Sequence, residues 1–374
     1  MSGSAGQSGE LGRDGCATPR KADAGTAVAV VVNDRYASRT RLCSQPNRGP
    51  GRPEADSNFQ HLWLRAHPKR LHRFLNGLDT PASYIRLMTI SSVPVDGFRL
   101  AYDRTGSGGP PVVVLHGWPG DRTDFADVAA RLGAVAADVI APDLRGFGES
   151  DKHLDVDVSA YGAVGQARSV IGLMDELGVE RAVLAGYDVG SRVAQAVARE
   201  HPDRVTALVL TPPLPGVGRR VLDPAVQREF WYQPFHQLAL AEELMDGRAD
   251  AVRAYLRHFW THWSGPKFEP SAERLDHLTL RYAAPGAFTA SIGCYRAGST
   301  TVALALTEQP PTDPITVPTT VLWPEHDPLF PRAWGDRIGE WFSRADLQPV
   351  DGIGHFCPVE APDAMADAIT HALA

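Results

Sequence analysis

From residue 88 onward the chain predicts an α/β domain built on a mostly parallel sheet. Three observations predict it. Short β-branched runs alternate with amphipathic helical stretches. One long aromatic-rich, helix-like segment interrupts that alternation. A Gly-x-Asp-x-Gly pattern, "GYDVG" at 186–190, stands where a strand should turn into a helix.

The elements follow in order. "PPVVVLHG" (110–117) is a β-branched run bounded by prolines and glycine, suited to a buried parallel strand. "ADVIAPDLRGFGES" (137–150) reads as a strand leaving into a turn-rich loop. "AYGAVGQARSVIGLMDELGV" (160–179) is a helix with Val170, Leu173 and Leu177 on one face. "RAVLAGYDVGSRVAQAVAREHP" (181–202) reads as strand, tight turn and helix, and "RVTALVLTPP" (204–213) as a further strand. Between about 213 and 305 come "REFWYQPFHQLALAEEL" and "AVRAYLRHFWTHWSG", a helical insertion expected to cover the C-terminal edge of the sheet, where such sheets bind ligands. "VPTTVLWPEHD" (317–327) and "ADLQPVDGIGHF" (345–356) supply two late strands, and "PDAMADAITHAL" (362–373) a closing helix.

Residues 1–87 differ in kind. They carry 13 Lys+Arg against 7 Asp+Glu, whereas residues 88–374 carry 24 against 37. Over 1–60 the chain is rich in Gly, Ser, Arg and Pro, a composition that buries too little surface to offset ordering entropy. The expectation is a disordered basic extension or an over-long gene start, with Met88 as the alternative beginning; "HLWLRAHPKRLHRFLNGL" (61–78) could form one basic helix. The apolar run "AGTAVAVVV" (24–32) lies late for a signal peptide and lacks a clean cleavage site. The acidic main body argues against nucleic acid as a partner. No apolar run approaches the roughly 18 residues that span a membrane. Cys16, Cys43, Cys294 and Cys357 show neither metal-type nor disulfide-framework spacing, so a cytoplasmic location is expected.

The chemistry gathers around Asp188. Flanked by Gly186 and Gly190 at a strand-to-helix junction, it occupies the place of a nucleophile on a strained elbow; the bland alternative is an N-cap for the helix. His355, in the glycine-rich "DGIGHF", fits the base in the chain order nucleophile, acid, histidine. The acid that orients it should follow an earlier strand. "WPEHD" offers Asp327, with Glu325 as rival, and "TPPLP" after the strand ending at Leu210 offers none. Backbone N–H groups of Trp118, in "HGWPG", and Val189 are placed to form an oxyanion hole. His116 reads as a structural residue of its loop.

The motifs "HGWPG", "PDLRGFGESD", "GYDVGSRVAQAVAREHPDRV", "WYQPFHQLALAEEL", "CYRAG", "WPEHD" and "GIGHF" occur in this order from about residue 90 to the end. Together they resemble the α/β-hydrolase superfamily, and specifically its epoxide-hydrolase branch. The resemblance implies an α/β-hydrolase fold: a mostly parallel sheet flanked by helices, with a helical lid. It implies that Tyr232 and Tyr295 hydrogen-bond an epoxide oxygen, although either could simply pack the lid. It implies no metal or organic cofactor and a small-molecule epoxide as partner; a homodimer is allowed. Two departures stand out. Tyr187 and Val189 flank the aspartate where the family often has His and Trp, and "WPEHD" has proline where glycine is usual.

A carboxylate suits attack on saturated carbon, giving an alkyl ester that activated water then hydrolyses. An epoxide oxygen leaves as an alkoxide far more basic than a phenol of pKa about 10, so two tyrosines can supply the proton. A halide needs none, but dehalogenases of this superfamily commonly place tryptophan or arginine beside the nucleophile, where this chain has Val189. The expected activity is therefore epoxide hydrolysis through an ester on Asp188. A haloalkane or haloacid dehalogenase with the same Asp-His-Asp triad is the alternative enzyme, and a binding protein that has lost catalysis the alternative class.

Overall fold

The structure, a computed structural model, describes residues 90–106 and 108–374. The extension expected over 1–87, with its run at 24–32 and helix-like stretch at 61–78, lies outside the described residues. Eight strands form one sheet: β1 (Ile90–Ser91), β2 (Ala101–Thr105), β3 (Pro111–Leu115), β4 (Asp138–Pro142), β5 (Ala182–Gly186), β6 (Val205–Leu210), β7 (Thr319–Pro324) and β8 (Ala345–Val350). Their spatial order is β1-β2-β4-β3-β5-β6-β7-β8. β1 and β2 join antiparallel at one edge, and β3 to β8 run parallel to their neighbours. The apolar runs Val112–Leu115 and Ala182–Ala185 are buried on both faces, as central parallel strands require.

Helices α1 (Ala126–Leu132), α2 (Ala163–Glu176) and α3 (Val189–Glu200) follow β3, β4 and β5. Between β6 and β7 the chain passes through α4 (Pro224–Glu229), α5 (Tyr232–His236), α6 (Ala239–Met245), α7 (Ala249–His262), α8 (Ala272–Tyr282), α9 (Ala287–Ser291), α10 (Gly293–Arg296) and α11 (Thr301–Leu304). Helices α12 (Cys357–Glu360) and α13 (Pro362–Leu373) close the chain. On α2, Val170 and Leu173 are fully buried, while Leu177, just past its end, packs partly buried against the same core. The sequence reading missed β1, β2 and α1. β1 has only two residues, and β2 exposes three of its five.

Helix α8 bolts the insertion to the loops after β3 and β4. Arg274, His277 and Arg281 recur at three- and four-residue spacing and so share one helix face. They pair with Asp124 (2.6 Å), Asp121 (2.6 Å) and Glu149 (2.9 Å). The Tyr282 hydroxyl donates to the Gly120 carbonyl at 2.8 Å and accepts the Gly120 N–H at 2.9 Å. Asp121 and Asp124 are buried, where removing one partner of an ion pair typically costs about 3–5 kcal/mol.

The sheet order places β3 beside both β4 and β5, so the chain reverses its winding direction between β3 and β5. The loops leaving these two strands meet at that switch point, the usual ligand crevice of an open α/β sheet. They meet closely. A Cβ on Gly190 would lie 2.0 Å from the Leu115 carbonyl oxygen and 2.6 Å from that of His116. Gly190→Ala is therefore expected to destabilise the fold by about 3 kcal/mol or more. A urea midpoint equal to that of the wild type would refute this close approach.

Candidate active site

Asp188 is held where few side chains would choose to stand. β5 ends at Gly186, α3 begins at Val189, and Asp188 between them has φ 48° and ψ −120°. A positive φ on a non-glycine residue stores about 1–3 kcal/mol of strain, which neighbouring contacts must offset. Asp188 occupies the N-cap position but makes no capping hydrogen bond. Instead its Oδ1 accepts the Trp118 N–H at 2.7 Å. Gly117 permits this approach, since a Cβ there would lie 2.5 Å from Asp188 Cβ. Val189 is the first residue of α3, so its N–H has no carbonyl within the helix to bond. His116 is buried, and its Nε2 accepts the Leu144 N–H at 3.0 Å, joining the loops after β3 and β4.

His355 reaches the same carboxylate from the loop after β8. Its Nε2 lies 3.4 Å from Asp188 Oδ2, and its Nδ1 2.9 Å from Asp327 Oδ2. Asp327 Oδ1 accepts the Leu329 N–H at 2.8 Å, which fixes the carboxylate. The rival Glu325 points elsewhere, accepting the Gly352 N–H at 2.8 Å. Burial pushes the His355 pKa down, but the charges and hydrogen bonds of Asp327 and Asp188 outweigh it and hold the pKa at about 10. Glu360 clamps the loop on both sides of the histidine, accepting the N–H groups of Gly354 (2.9 Å) and Phe356 (3.0 Å). It also accepts the Gly265 N–H at 2.7 Å, which ties this loop to the insertion.

The two tyrosines of the insertion meet over this group. Their rings pack edge to face at 5.6 Å, and Tyr232 stacks parallel to Trp118 at 5.7 Å. Gln233 donates to the Tyr232 hydroxyl at 3.1 Å, occupying an acceptor site of the oxygen while its O–H remains a donor. Burial pushes both phenols well above the ordinary tyrosine value, so both stay protonated. A small cavity lies between them and the elbow, lined by Asp188, Val189, Arg192, Tyr232, Cys294 and Tyr295 among others.

The structure thus brings together all seven residues expected from the sequence: Asp188, His355, Asp327, Tyr232, Tyr295, Trp118 and Val189. It adds others that the reading missed. Tyr187, noted only as a departure from the family, donates to Asp124 at 2.6 Å, and Arg274 of α8 holds the other oxygen of that carboxylate. Arg192, Gln233 and Glu360 also went unread, although Arg192 sits one helical turn from Asp188, a spacing that sequence alone displays. Among the described residues, no group of three or more His, Cys, Asp or Glu is placed to hold a metal ion, and no helix is long and apolar enough to cross a membrane.

Chemically the group offers a carboxylate held beside the cavity, an imidazole braced by a second carboxylate, and two phenolic donors. The charge state is testable. The folded His355 pKa of about 10 exceeds the ordinary 6.5. Its protonated form therefore stabilises the fold fully below pH 6.5, and that contribution is lost as pH rises through about 10. An NMR titration of the His355 ring should give a midpoint near 10 in the wild type. Asp188→Asn should lower it by at least one unit, because one stabilising charge is gone. An unchanged midpoint in the variant would rule out this coupling.

Residues 110–362 match the model of the family described as alpha/beta hydrolase fold. The chain is similar to the soluble epoxide hydrolase of Corynebacterium, 29% identical over 286 residues that cover 73% of this chain and 93% of the relative. It is also similar to the fluoroacetate dehalogenase of Burkholderia, 32% identical over 199 residues. That match covers 52% of this chain and just under two thirds, 64%, of the dehalogenase. Among solved structures, epoxide hydrolase A from Mycobacterium thermoresistibile superposes with a TM-score of 0.62 at 25% identity, covering 76% of this chain and 98% of that one. With the family model spanning about two thirds of its length, and with this sheet and elbow, the chain belongs to the α/β-hydrolase fold family.

Proposed function

We propose that this protein hydrolyses an epoxide to a vicinal diol through a covalent ester on Asp188. One observation carries the reading: the Asp188 carboxylate is aimed by the Trp118 N–H and by His355 into a cavity lined by two protonated tyrosines. The likeness to epoxide hydrolases in both sequence and structure supports it. In this reading residues 88–374 are the catalytic domain, the insertion is its lid, and residues 1–87 are an extension. Cys294 and Cys357 are buried free thiols, which suits a reducing compartment such as the cytoplasm.

In the first step Asp188 Oδ attacks a ring carbon, the C–O bond breaks, and the ring oxygen takes a proton from Tyr232 or Tyr295. This leaves a neutral hydroxyalkyl ester. The negative charge that held the His355 proton has then gone, so the imidazolium becomes a stronger acid and can return its proton, through water, to the tyrosinate. Proton and charge balance: a carboxylate and an imidazolium become an ester alcohol and a neutral imidazole. His355, oriented by Asp327, now accepts a proton from water, which attacks Cγ of the ester. The oxyanion forms against the N–H groups of Trp118 and Val189. Collapse releases the diol, protonated by His355, and restores Asp188 with one oxygen from water.

A dehalogenase is the second reading, and two observations favour it. Trp118 Nε1 is buried without a hydrogen-bond partner, as a halide donor would be, and a fluoroacetate dehalogenase is among the relatives. Product analysis with epoxides, fluoroacetate and chloroalkanes separates the two. The expected outcome is diol formation, with kcat lowered about 10²-fold by either Tyr232→Phe or Tyr295→Phe and further by both together. Halide release with every epoxide untouched, or tyrosine variants of full activity, would contradict the proposal.

A further inference from the structure

Arg274 of the insertion touches both arms of the site without lining the cavity. It stands in the first turn of α8, partly buried, and its Nη1 donates to Asp124 Oδ1 at 2.6 Å. The other oxygen of that carboxylate accepts the Tyr187 hydroxyl at 2.6 Å. Tyr187 is fully buried and immediately precedes Asp188 on the strained elbow. It has little slack. A Cβ on Gly120 would lie 2.5 Å from its hydroxyl, and one on Gly117 would lie 2.7 Å from its ring.

The same guanidinium reaches toward the histidine. Its Cζ lies 4.8 Å from the centroid of the Trp260 ring, where the ring quadrupole attracts a cation. Trp260, on α7, stacks on Phe356 at 3.8 Å with the rings 9° from parallel, and its Nε1 donates to the Pro119 carbonyl at 2.9 Å. Phe356 is the next residue after His355. One arginine thus joins a chain of contacts ending beside Asp188 to another ending beside His355.

Asp188 and His355 follow different strands, and their coupling depends on a gap of 3.4 Å between Oδ2 and Nε2. That gap is set by how the two loops are placed relative to each other. Burial pushes the Asp124 carboxyl upward, and the Arg274 charge is the largest influence opposing it. Arg274 thereby favours the ionised form of Asp124, the stronger acceptor for the Tyr187 hydroxyl. We infer that Arg274 is a positioning residue, holding Asp188 and His355 in register through Tyr187 on one side and Trp260 and Phe356 on the other. The inference rests on the reading of those two groups as nucleophile and base.

The test is the NMR titration of the His355 ring in the full-length protein, which needs no substrate. Its midpoint near 10 depends on the closeness of Asp188 as well as of Asp327. Arg274→Gln should lower it by at least about half a unit, as the contact with Asp188 loosens. Loss of a positive charge alone would act the other way and raise it. Tyr187→Phe removes one oxygen and no charge, and should also lower the midpoint. Both changes together should lower it no further than Arg274→Gln does, because they break one chain of contacts. Arg274→Lys, which keeps the charge, should restore part of the loss. Asp327 and Glu360, the other carboxylates whose charge His355 feels, are retained in every variant. A midpoint unchanged or raised in Arg274→Gln, or a double variant whose fall is the sum of the two, would overturn the assignment. Should Arg274→Gln fail to fold, Tyr187→Phe decides alone, and an unmoved midpoint there overturns it. The two readings fail separately. Diol formation with an unmoved midpoint refutes the positioning role alone, while the expected shifts in a protein that forms no diol refute epoxide opening alone.

Discussion

The hydrogen bond from the Trp118 N–H to Asp188 Oδ1, 2.7 Å long, is the constraint on which the rest of the site depends. It exists only because two strands deliver their loops to one point and three glycines remove the side chains that would separate them. Gly117 lets the β3 loop touch the aspartate, Gly186 lets β5 approach the start of α3, and Gly190 lets α3 approach β3. The positive φ of Asp188 is the local cost of this convergence. In return the carboxylate is turned away from the helix it would otherwise cap and toward the cavity. Sheet topology, backbone strain and the orientation of the Asp188 carboxylate are one arrangement seen at three scales.

The same constraint sets the electrostatics. With Asp188 fixed, His355 stands between two carboxylates, and their combined field overcomes the desolvation of a buried imidazolium. In the proposed cycle a change of charge at Asp188 is therefore felt directly as a change of basicity at His355. No movement of the histidine is needed, and Glu360 gives it little freedom, gripping the backbone on either side. The insertion joins this rigid frame through Gly265 at the histidine loop and, among other ties of α8, through Arg274 and Asp124 at Tyr187, the residue beside Asp188.

Much of this was legible in the sequence because it is written in local patterns. Gly186, Asp188 and Gly190 are neighbours along the chain, and a strand before with a helix after reveals the elbow without any tertiary knowledge. Asp327 and His355 follow late strands whose alternation is plain. What escaped is what depends on packing. The β2 strand exposes three of five residues and carries no alternating signature. Tyr187 and Asp124 are 63 residues apart, and nothing local says that a buried carboxylate awaits that hydroxyl. Arg192 looks, by helical spacing, like any polar residue on a surface helix. Only the covering insertion half-buries it beside the cavity.

The most direct test of the central claim is the intact mass of a His355→Gln variant after incubation with short epoxides. Without the imidazole the ester should form but not hydrolyse. The account predicts a mass gain equal to one whole epoxide, mapped to the peptide containing Asp188 and absent when Asp188 is also changed to Asn. A gain equal to a haloacid minus hydrogen halide, seen with haloacids and with no epoxide, would contradict it in favour of dehalogenation. No adduct with any epoxide, in a variant that folds, would contradict the covalent route itself.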